Sequence, residues 1–264
     1  GMSQLRIYQI DAFTDRVFQG NPAAVIPLDQ WLEDGVLQSI AAENNLSETA
    51  FLVPQADRYH LRWFTPVQEV RLCGHATLAS AFVIFTFLEP DRDAVQFETL
   101  SGQLRVKRLN ELLVLDFPGY EPQICDLPIG LAEGLGKSPS QVFWTESDTN
   151  YYAVFDQEAD LHQLQPDFAR LAQLHPYGTV VTAPGDRSDF ACRYFAPSYG
   201  IPEDPVTGSI HCALVPYWAK RLGKPQLVSR QVSARGGDLY CEWQGDRVTI
   251  GGKAVPFLIG EISL

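Results

Sequence analysis

Long apolar runs, paired cysteines and an excess of basic charge are all missing from this chain, and each absence removes a class of function. The longest uncharged stretch runs from Leu72 to Leu88. It falls short of the ~20 apolar residues that cross a bilayer, and small residues interrupt it, so a soluble protein is expected. No cationic segment followed by an apolar core opens the chain, so no signal peptide is expected. Gly1 ahead of Met2 reads as an expression scar and is set aside. The five cysteines are an odd number and none are spaced C-x-x-C. That pattern suggests neither a disulfide framework nor a zinc site, and no metal is expected. A reducing cytoplasm fits. Lys and Arg number 20 against 32 Asp and Glu, a net charge of −12. Such a balance argues against nucleic acid or an anionic membrane as partner. What remains is an ordinary globular composition, 45% apolar, with enough material for a core.

The chain is organised around Arg71-Leu72-Cys73-Gly74-His75-Ala76-Thr77-Leu78-Ala79. The spacing predicts a loop running into an apolar helix from Ala76 to about Phe87. Gly74 allows the backbone to approach a ligand closely. The first helical turn leaves N–H groups without intrahelical partners, and with the dipole it attracts an anion. Cys73 and His75 place a thiol and an imidazole beside that turn.

The second half repeats the arrangement. Asp204-Pro205-Val206-Thr207-Gly208-Ser209-Ile210-His211 also enters an apolar helix, expected over Ser209 to Leu222. Arg62-Trp63-Phe64-Thr65-Pro66 matches Arg193-Tyr194-Phe195-Ala196-Pro197 at 193 − 62 = 131. Asn21 matches Asn150 at 150 − 21 = 129, and Gly74 matches Gly208 at 208 − 74 = 134. A repeat this long is not a solenoid unit. It predicts two similar domains, residues 1–117 and 118–264. Hairpin signals with one long helix per half suggest a curled, mainly antiparallel sheet wrapped on a helix, an α+β fold. The last strand, Phe257 to Ile262, is placed in the second domain, with pairing back onto the first left open.

Several of these segments together carry a resemblance. Gly20-Asn21-Pro22-Ala23-Ala24-Val25, Ser47-Glu48-Thr49-Ala50-Phe51, Phe64-Thr65-Pro66, Gly74-His75-Ala76-Thr77-Leu78-Ala79 and Glu203-Asp204-Pro205-Val206-Thr207-Gly208-Ser209 resemble the PhzF-like phenazine-biosynthesis isomerase family, over nearly the whole chain and in order. The resemblance implies a diaminopimelate-epimerase-like fold of two pseudo-symmetric domains, with the active site in the cleft between them. It implies cofactor-free chemistry, a homodimer, and a small carboxylate-bearing substrate. It places the family's general acid/base glutamate on Glu48, its site histidine on His75, its site aspartate on Asp204 and its site serine on Ser209. Gly74 and Gly208 join His75 and Ser209 in holding the substrate.

Each residue also has a plainer reading. Glu48 sits in an apolar strand and, by itself, reads as a residue facing solvent. In a dry site the same carboxylate can take and return a proton. His75 can be an idle residue at a helix start, Asp204 a turn initiator before Pro205, and Ser209 an ordinary first-turn serine. His211 reads as structural. Cys73 stands where the thiol epimerases of this fold carry one of two cysteines. The second half offers Ser209 near the matching place, and a serine hydroxyl is a poor base without activation. The expectation is an isomerase using Glu48. An epimerase or racemase using Cys73, and a non-catalytic binding or scaffold protein, are the alternatives.

Overall fold

A computed structural model describes residues 3–264. Contacts divide the chain into two compact units. One comprises the residues up to Asp116 together with Gly251–Leu264, and the other is Phe117–Ile250.

In the first unit β1 (Gln4–Ala12) runs antiparallel to β2 (Asn21–Pro27), and β2 runs parallel to β3 (Glu48–Gln55). A parallel pair needs a crossover, and α1 (Asp34–Asn44) supplies it. Leu37, Ile40 and Ala41 bury its inner face. Asn45 ends it in the left-handed conformation, φ 52°, donating its N–H to the Ala41 carbonyl. Next, β3 pairs antiparallel with β4 (Arg58–Phe64), which also takes the short β5 (Glu69–Val70) antiparallel and β6 (Ala94–Thr99) parallel. Strands β7 (Gly102–Leu109) and β8 (Leu112–Pro118) follow as antiparallel neighbours. The C-terminal strand, Ala254–Ser263, lies antiparallel on the other side of β1.

Helix α2 (Gly74–Val83) packs against β1, β2 and β3 and is buried on almost every side. A helix apolar all round is a core element. Its two small polar residues satisfy themselves on the preceding turn: the Thr77 hydroxyl donates to the Cys73 carbonyl at 2.6 Å and the Ser80 hydroxyl to the Ala76 carbonyl at 2.7 Å. Beyond Val83 the coil widens through Ile84–Leu88, where Glu89 N–H reaches the Ile84 carbonyl at 2.7 Å. The helix expected to continue to Phe87 therefore changes form at Val83.

The second unit repeats this order. Strands β9 (Gln123–Cys125) and β10 (Gln141–Trp144) are antiparallel, as are β10 and β11 (Asn150–Val154). Then β11 runs parallel to β12 (Gly178–Pro184), and β12 antiparallel to β13 (Phe190–Ala196). Strand β13 takes the short β14 (Ile201–Asp204) antiparallel and β15 (Gln226–Gln231) parallel, and β15 takes β16 (Gly237–Gln244) antiparallel. The last strand is β17 (Arg247–Gly252). Three short helices, α3 (Leu131–Leu135), α4 (Glu158–Gln163) and α5 (Phe168–Ala172), cover one apolar cluster that includes Leu131, Leu161, Leu171 and Phe195. The long helix α6 (His211–Leu222) is buried along its length up to Ala219. Pro216 lies inside it and has no N–H for the Cys212 carbonyl. The Tyr120 N–H fills that place at 2.8 Å, so the chain entering the unit satisfies the gap.

Two sequence expectations need correction. Residues 251–264 belong with the first unit and not with 118–264, because the C-terminal strand pairs with β1 along nine residues from Gln4 to Ala12. It fills beside β1 the place that β9 fills beside β10. The second long helix begins at His211 and not at Ser209. Bonds from His211 N–H to the Gly208 carbonyl (3.0 Å) and from Cys212 N–H to the Ser209 carbonyl (3.2 Å) span three residues, so this entry is a tighter turn. Among the described residues no helix is long and apolar enough to cross a membrane.

The matched Arg-x-Phe segments explain themselves in side-chain terms. Arg62 grips Glu69 with two hydrogen bonds of 2.8 Å and lies over the Phe64 ring at 5.2 Å. Arg193 grips Glu203 at 3.0 and 2.9 Å and lies over Phe195 at 4.9 Å. Each guanidinium fastens the short strand, β5 or β14, that leads to the buried helix. Arg193 also donates to the Leu161 and Leu164 carbonyls at 2.7 and 3.3 Å. Replacing Arg193 with Met keeps much of its volume but strands Glu203 and both carbonyls. We expect Arg193→Met to cost about 2–4 kcal/mol in urea unfolding. Arg193→Met combined with Glu203→Met should be less destabilised than the single change, since no unpaired carboxylate remains. A loss below about 0.5 kcal/mol for the single change would show that the fork carries no net stability.

Candidate functional site

The first unit brings three of the sequence-singled residues together. Glu48 opens β3, Cys73 caps α2, and His75 is the second residue of that helix. Because α2 is buried all round, its first turn lies inside the unit, and the polar groups there must find partners within it. The Cys73 Sγ stands 3.3 Å from His75 Nδ1. Glu48 Oε2 stands 3.1 Å from His75 Nε2. The side chains of Glu48 and His75 are only 13% and 6% exposed, so the plain solvent-facing reading of Glu48 does not hold. Oε2 and Nε2 are close but poorly aligned, and neither makes a hydrogen bond within the protein. The carboxylate and the imidazole are thus in electrostatic contact with their directed bonding capacity unused.

Burial pulls the His75 pKa down. The contacts with Cys73 and then the Glu48 charge outweigh it and hold the pKa well above 6.5. Burial and the Glu48 charge push the Cys73 thiol up to about 11, against the pull of His75. A thiol with that pKa is neutral at pH 7. Gly74 is partly buried at the mouth of the turn. The first free helical N–H in this turn to find a backbone acceptor is that of Thr77, which bonds the Cys73 carbonyl at 3.1 Å.

Glu48, Cys73 and His75 offer oxygen, sulfur and nitrogen donors within 4.8 Å of one another, a set capable of holding a metal. The imidazole, however, turns Nδ1 toward the thiol and Nε2 toward the carboxylate. An ion on one nitrogen would leave the residue at the other outside its shell unless side chains moved.

In the second unit the other predicted residues lie along the turn from β14 into α6. Asp204 is partly buried, Gly208 buried and Ser209 exposed. The Thr207 hydroxyl reaches Asp204 Oδ2 at 2.5 Å. Two fully buried residues of β15 support this turn from beneath, Ser229 and Gln231. Gln231 Oε1 accepts the Thr207 N–H at 2.8 Å, and Nε2 donates to the Asp204 carbonyl at 3.0 Å and to Thr207 Oγ1 at 3.2 Å. His211 Nδ1 faces the Thr207 carbonyl at 2.8 Å and must carry the proton there. Nε2 therefore accepts, and the Ser229 hydroxyl donates to it at 2.7 Å. Burial depresses the His211 pKa to about 4 despite that carbonyl. The structural reading of His211 thus has a specific content: a neutral imidazole that ties the turn to β15. Ser229 and Gln231 were not singled out by sequence. They look like ordinary polar residues in a strand, and only the pairing of β15 beside β13 turns them toward Asp204 and His211.

The two histidines should titrate in opposite senses. In an NMR titration His75 should remain protonated well above pH 6.5, and Glu48→Gln should bring its midpoint down. His211 should stay neutral until about pH 4. A depressed folded-state pKa means that the unfolded chain binds the proton first, so His211 weakens the fold as pH falls from 6.5 toward 4. Relative to His211→Gln, wild type should lose about 2 kcal/mol of unfolding free energy between pH 7 and pH 5. A constant difference between the two proteins would mean that His211 titrates normally.

Comparison with known proteins bears on this geometry. Residues 10–260 match the PhzC-PhzF family, described as phenazine biosynthesis-like protein. A Pseudomonas aeruginosa protein called an uncharacterized isomerase is 51% identical over 261 residues, covering 99% of this chain and 100% of that one. The crystal structure of a phenazine biosynthesis protein of the PhzF family from Enterococcus faecalis superposes with a TM-score of 0.96 at 44% identity, over 99% of this chain and 100% of that one. A predicted epimerase from Pseudomonas aeruginosa shares the fold at 19% identity, with a TM-score of 0.73 over 98% of this chain and 99% of that one.

Proposed function

Because the chain belongs to the phenazine biosynthesis-like family, we propose that it is an isomerase that moves a carbon-bound proton on a small, carboxylate-bearing, conjugated substrate, with Glu48 as the acid/base. One observation carries the reading. Glu48 Oε2 and His75 Nε2 meet at 3.1 Å inside the first unit, and neither is hydrogen-bonded within the protein. Buried polar atoms normally find partners. Two left unused, one anionic and one cationic, suit a ligand that supplies both a proton and an acceptor.

In the proposed step a Glu48 oxygen takes a proton from a substrate carbon. The C–H electrons enter the conjugated system, the double bond moves, and the same oxygen returns the proton to a second carbon. Atoms and electrons balance without a co-reactant. The negative charge that develops on the substrate is met by the His75 imidazolium, whose Nε2–H is not committed to Glu48. The start of α2 adds the N–H groups of Gly74 and His75 and the positive end of the helix dipole, which favour the substrate carboxylate. Gly208 and Ser209 are assigned to substrate binding and Asp204 to the acid/base set on the family pattern, and the exposed Ser209 is free to meet a ligand.

The epimerase alternative is less well supported. Burial and the Glu48 charge push the Cys73 thiol up to about 11, so it is neutral at pH 7 and a weak base. A binding protein without turnover has no need of a buried acid and base held 3.1 Å apart.

The test is deuterium incorporation from heavy water into a panel of cyclic diene and hydroxy-amino carboxylates, read by mass spectrometry. Glu48→Gln keeps the shape and removes the base, and should slow exchange by ~10²–10⁴-fold. Cys73→Ala should retain most of the rate. The reverse ranking would establish the thiol route in place of this one.

A further inference from the structure

Asp204 is held by a hydrogen-bond chain whose proton directions follow from its donors. The Thr207 N–H can only donate, so the Gln231 oxygen must be the atom at 2.8 Å from it. The Gln231 amide nitrogen then faces the Asp204 carbonyl and Thr207 Oγ1 at 3.0 and 3.2 Å and donates to both. Thr207 Oγ1, already accepting, has its own proton left over. The acceptor in line is Asp204 Oδ2, at 2.5 Å. His211 Nδ1–H holds the Thr207 carbonyl at 2.8 Å, so both ends of the Thr207 backbone are tied. Gln231 is fully buried, which leaves it no water to bond instead.

From this chain we propose that Thr207 and Gln231 are positioning residues for Asp204. Gln231 commits the Thr207 hydroxyl proton to the Asp204 carboxylate, which fixes its rotamer and favours its ionised form. The inference deepens the function proposed above, since it concerns a residue assigned there to the acid/base set. Its core, the setting of Asp204 by Thr207, can be read without catalysis. Three titratable groups lie next to Asp204 along the chain or across the strand pair. Tyr194 lies directly opposite on β13 and stays protonated, because burial and the Asp204 charge hold its pKa far up. His211 is neutral above about 4. Glu203 is engaged by Arg193.

The decisive variants are Thr207→Val, which keeps the side-chain shape without the hydroxyl, and Thr207→Ser, which restores it. The first measurement is the Asp204 carboxyl ¹³C titration in the full chain, with thermal unfolding as a check on folding. Thr207→Val should raise the Asp204 midpoint by about one pH unit or more, and Thr207→Ser should return it to the wild-type value. Gln231→Leu, which frees the Thr207 proton to turn away, should move it in the same direction by less. An unchanged midpoint in folded Thr207→Val overturns the proposal, as does a shift that Thr207→Ser fails to reverse. Should Thr207→Val not fold, Thr207→Ser with a wild-type midpoint and Gln231→Leu with a raised one support the proposal, and an unmoved Gln231→Leu overturns it. The second measurement is the pH profile of proton exchange. An acid limb that moves with the Asp204 midpoint supports both readings. A midpoint that moves while the profile stays fixed keeps the positioning role and removes Asp204 from the catalytic step.

Discussion

The constraint on which the rest of the structure depends is the burial of a helix start. In each unit a helix packs on the sheet with its first turns buried, α2 on β1, β2 and β3 and α6 on β15 and β16, and such a helix cannot leave the polar groups of its first turn to water alone. The N–H groups and polar side chains of that turn must be answered from within the unit. Apolar burial drives the arrangement, at roughly 25 cal/mol per Å² removed from water. The polar residues at the entrance are what that burial requires.

The two units meet the requirement differently. In the second, Thr207, His211, Ser229 and Gln231 pair with one another and with Asp204, and the protons among them have defined directions. The first has no such chain among the described residues. His75 sits between Cys73 and Glu48, and its Nε2 and the Glu48 Oε2 remain without hydrogen bonds. Unsatisfied buried groups cost about 1–3 kcal/mol each, a cost that makes sense where a substrate supplies the missing partners. Both halves share one order of strands, and they differ in the bonding at the helix entrance.

The frame itself rests on small repeated devices. Arg62–Glu69 and Arg193–Glu203 each fasten a short strand beside the central pair, with the guanidinium laid over Phe64 or Phe195. Those strands lead to the helix starts. A two-residue strand such as Glu69–Val70 has too few ladder bonds to hold its own position, and the bidentate fork supplies the missing constraint. This is why Arg and Phe recur in both halves although the residue between them and the one that follows differ.

The sequence by itself determined the duplication, the two apolar helices, most strands, and the residues of the first cluster. Those features are local: periodicity, turn residues and repeated short segments register in neighbouring positions along the chain. The Glu48 motif marked an important strand, but the strand pattern alone placed its side chain in solvent. Only the tertiary structure decided that Glu48 faces His75, since that depends on β3 lying beside the start of α2. Likewise Gln231 and Ser229 carry no mark in a β15 that reads as an ordinary strand. Their partners, Thr207 and His211, lie 24 and 18 residues away in sequence. The place of the C-terminal strand was also outside the sequence's reach, because both β1 and β10 need a second neighbour and only strand pairing settled which one it completes. Contacts between distant segments have no periodicity to read, and it is through such contacts that Gln231 and Ser229 join the buried polar network.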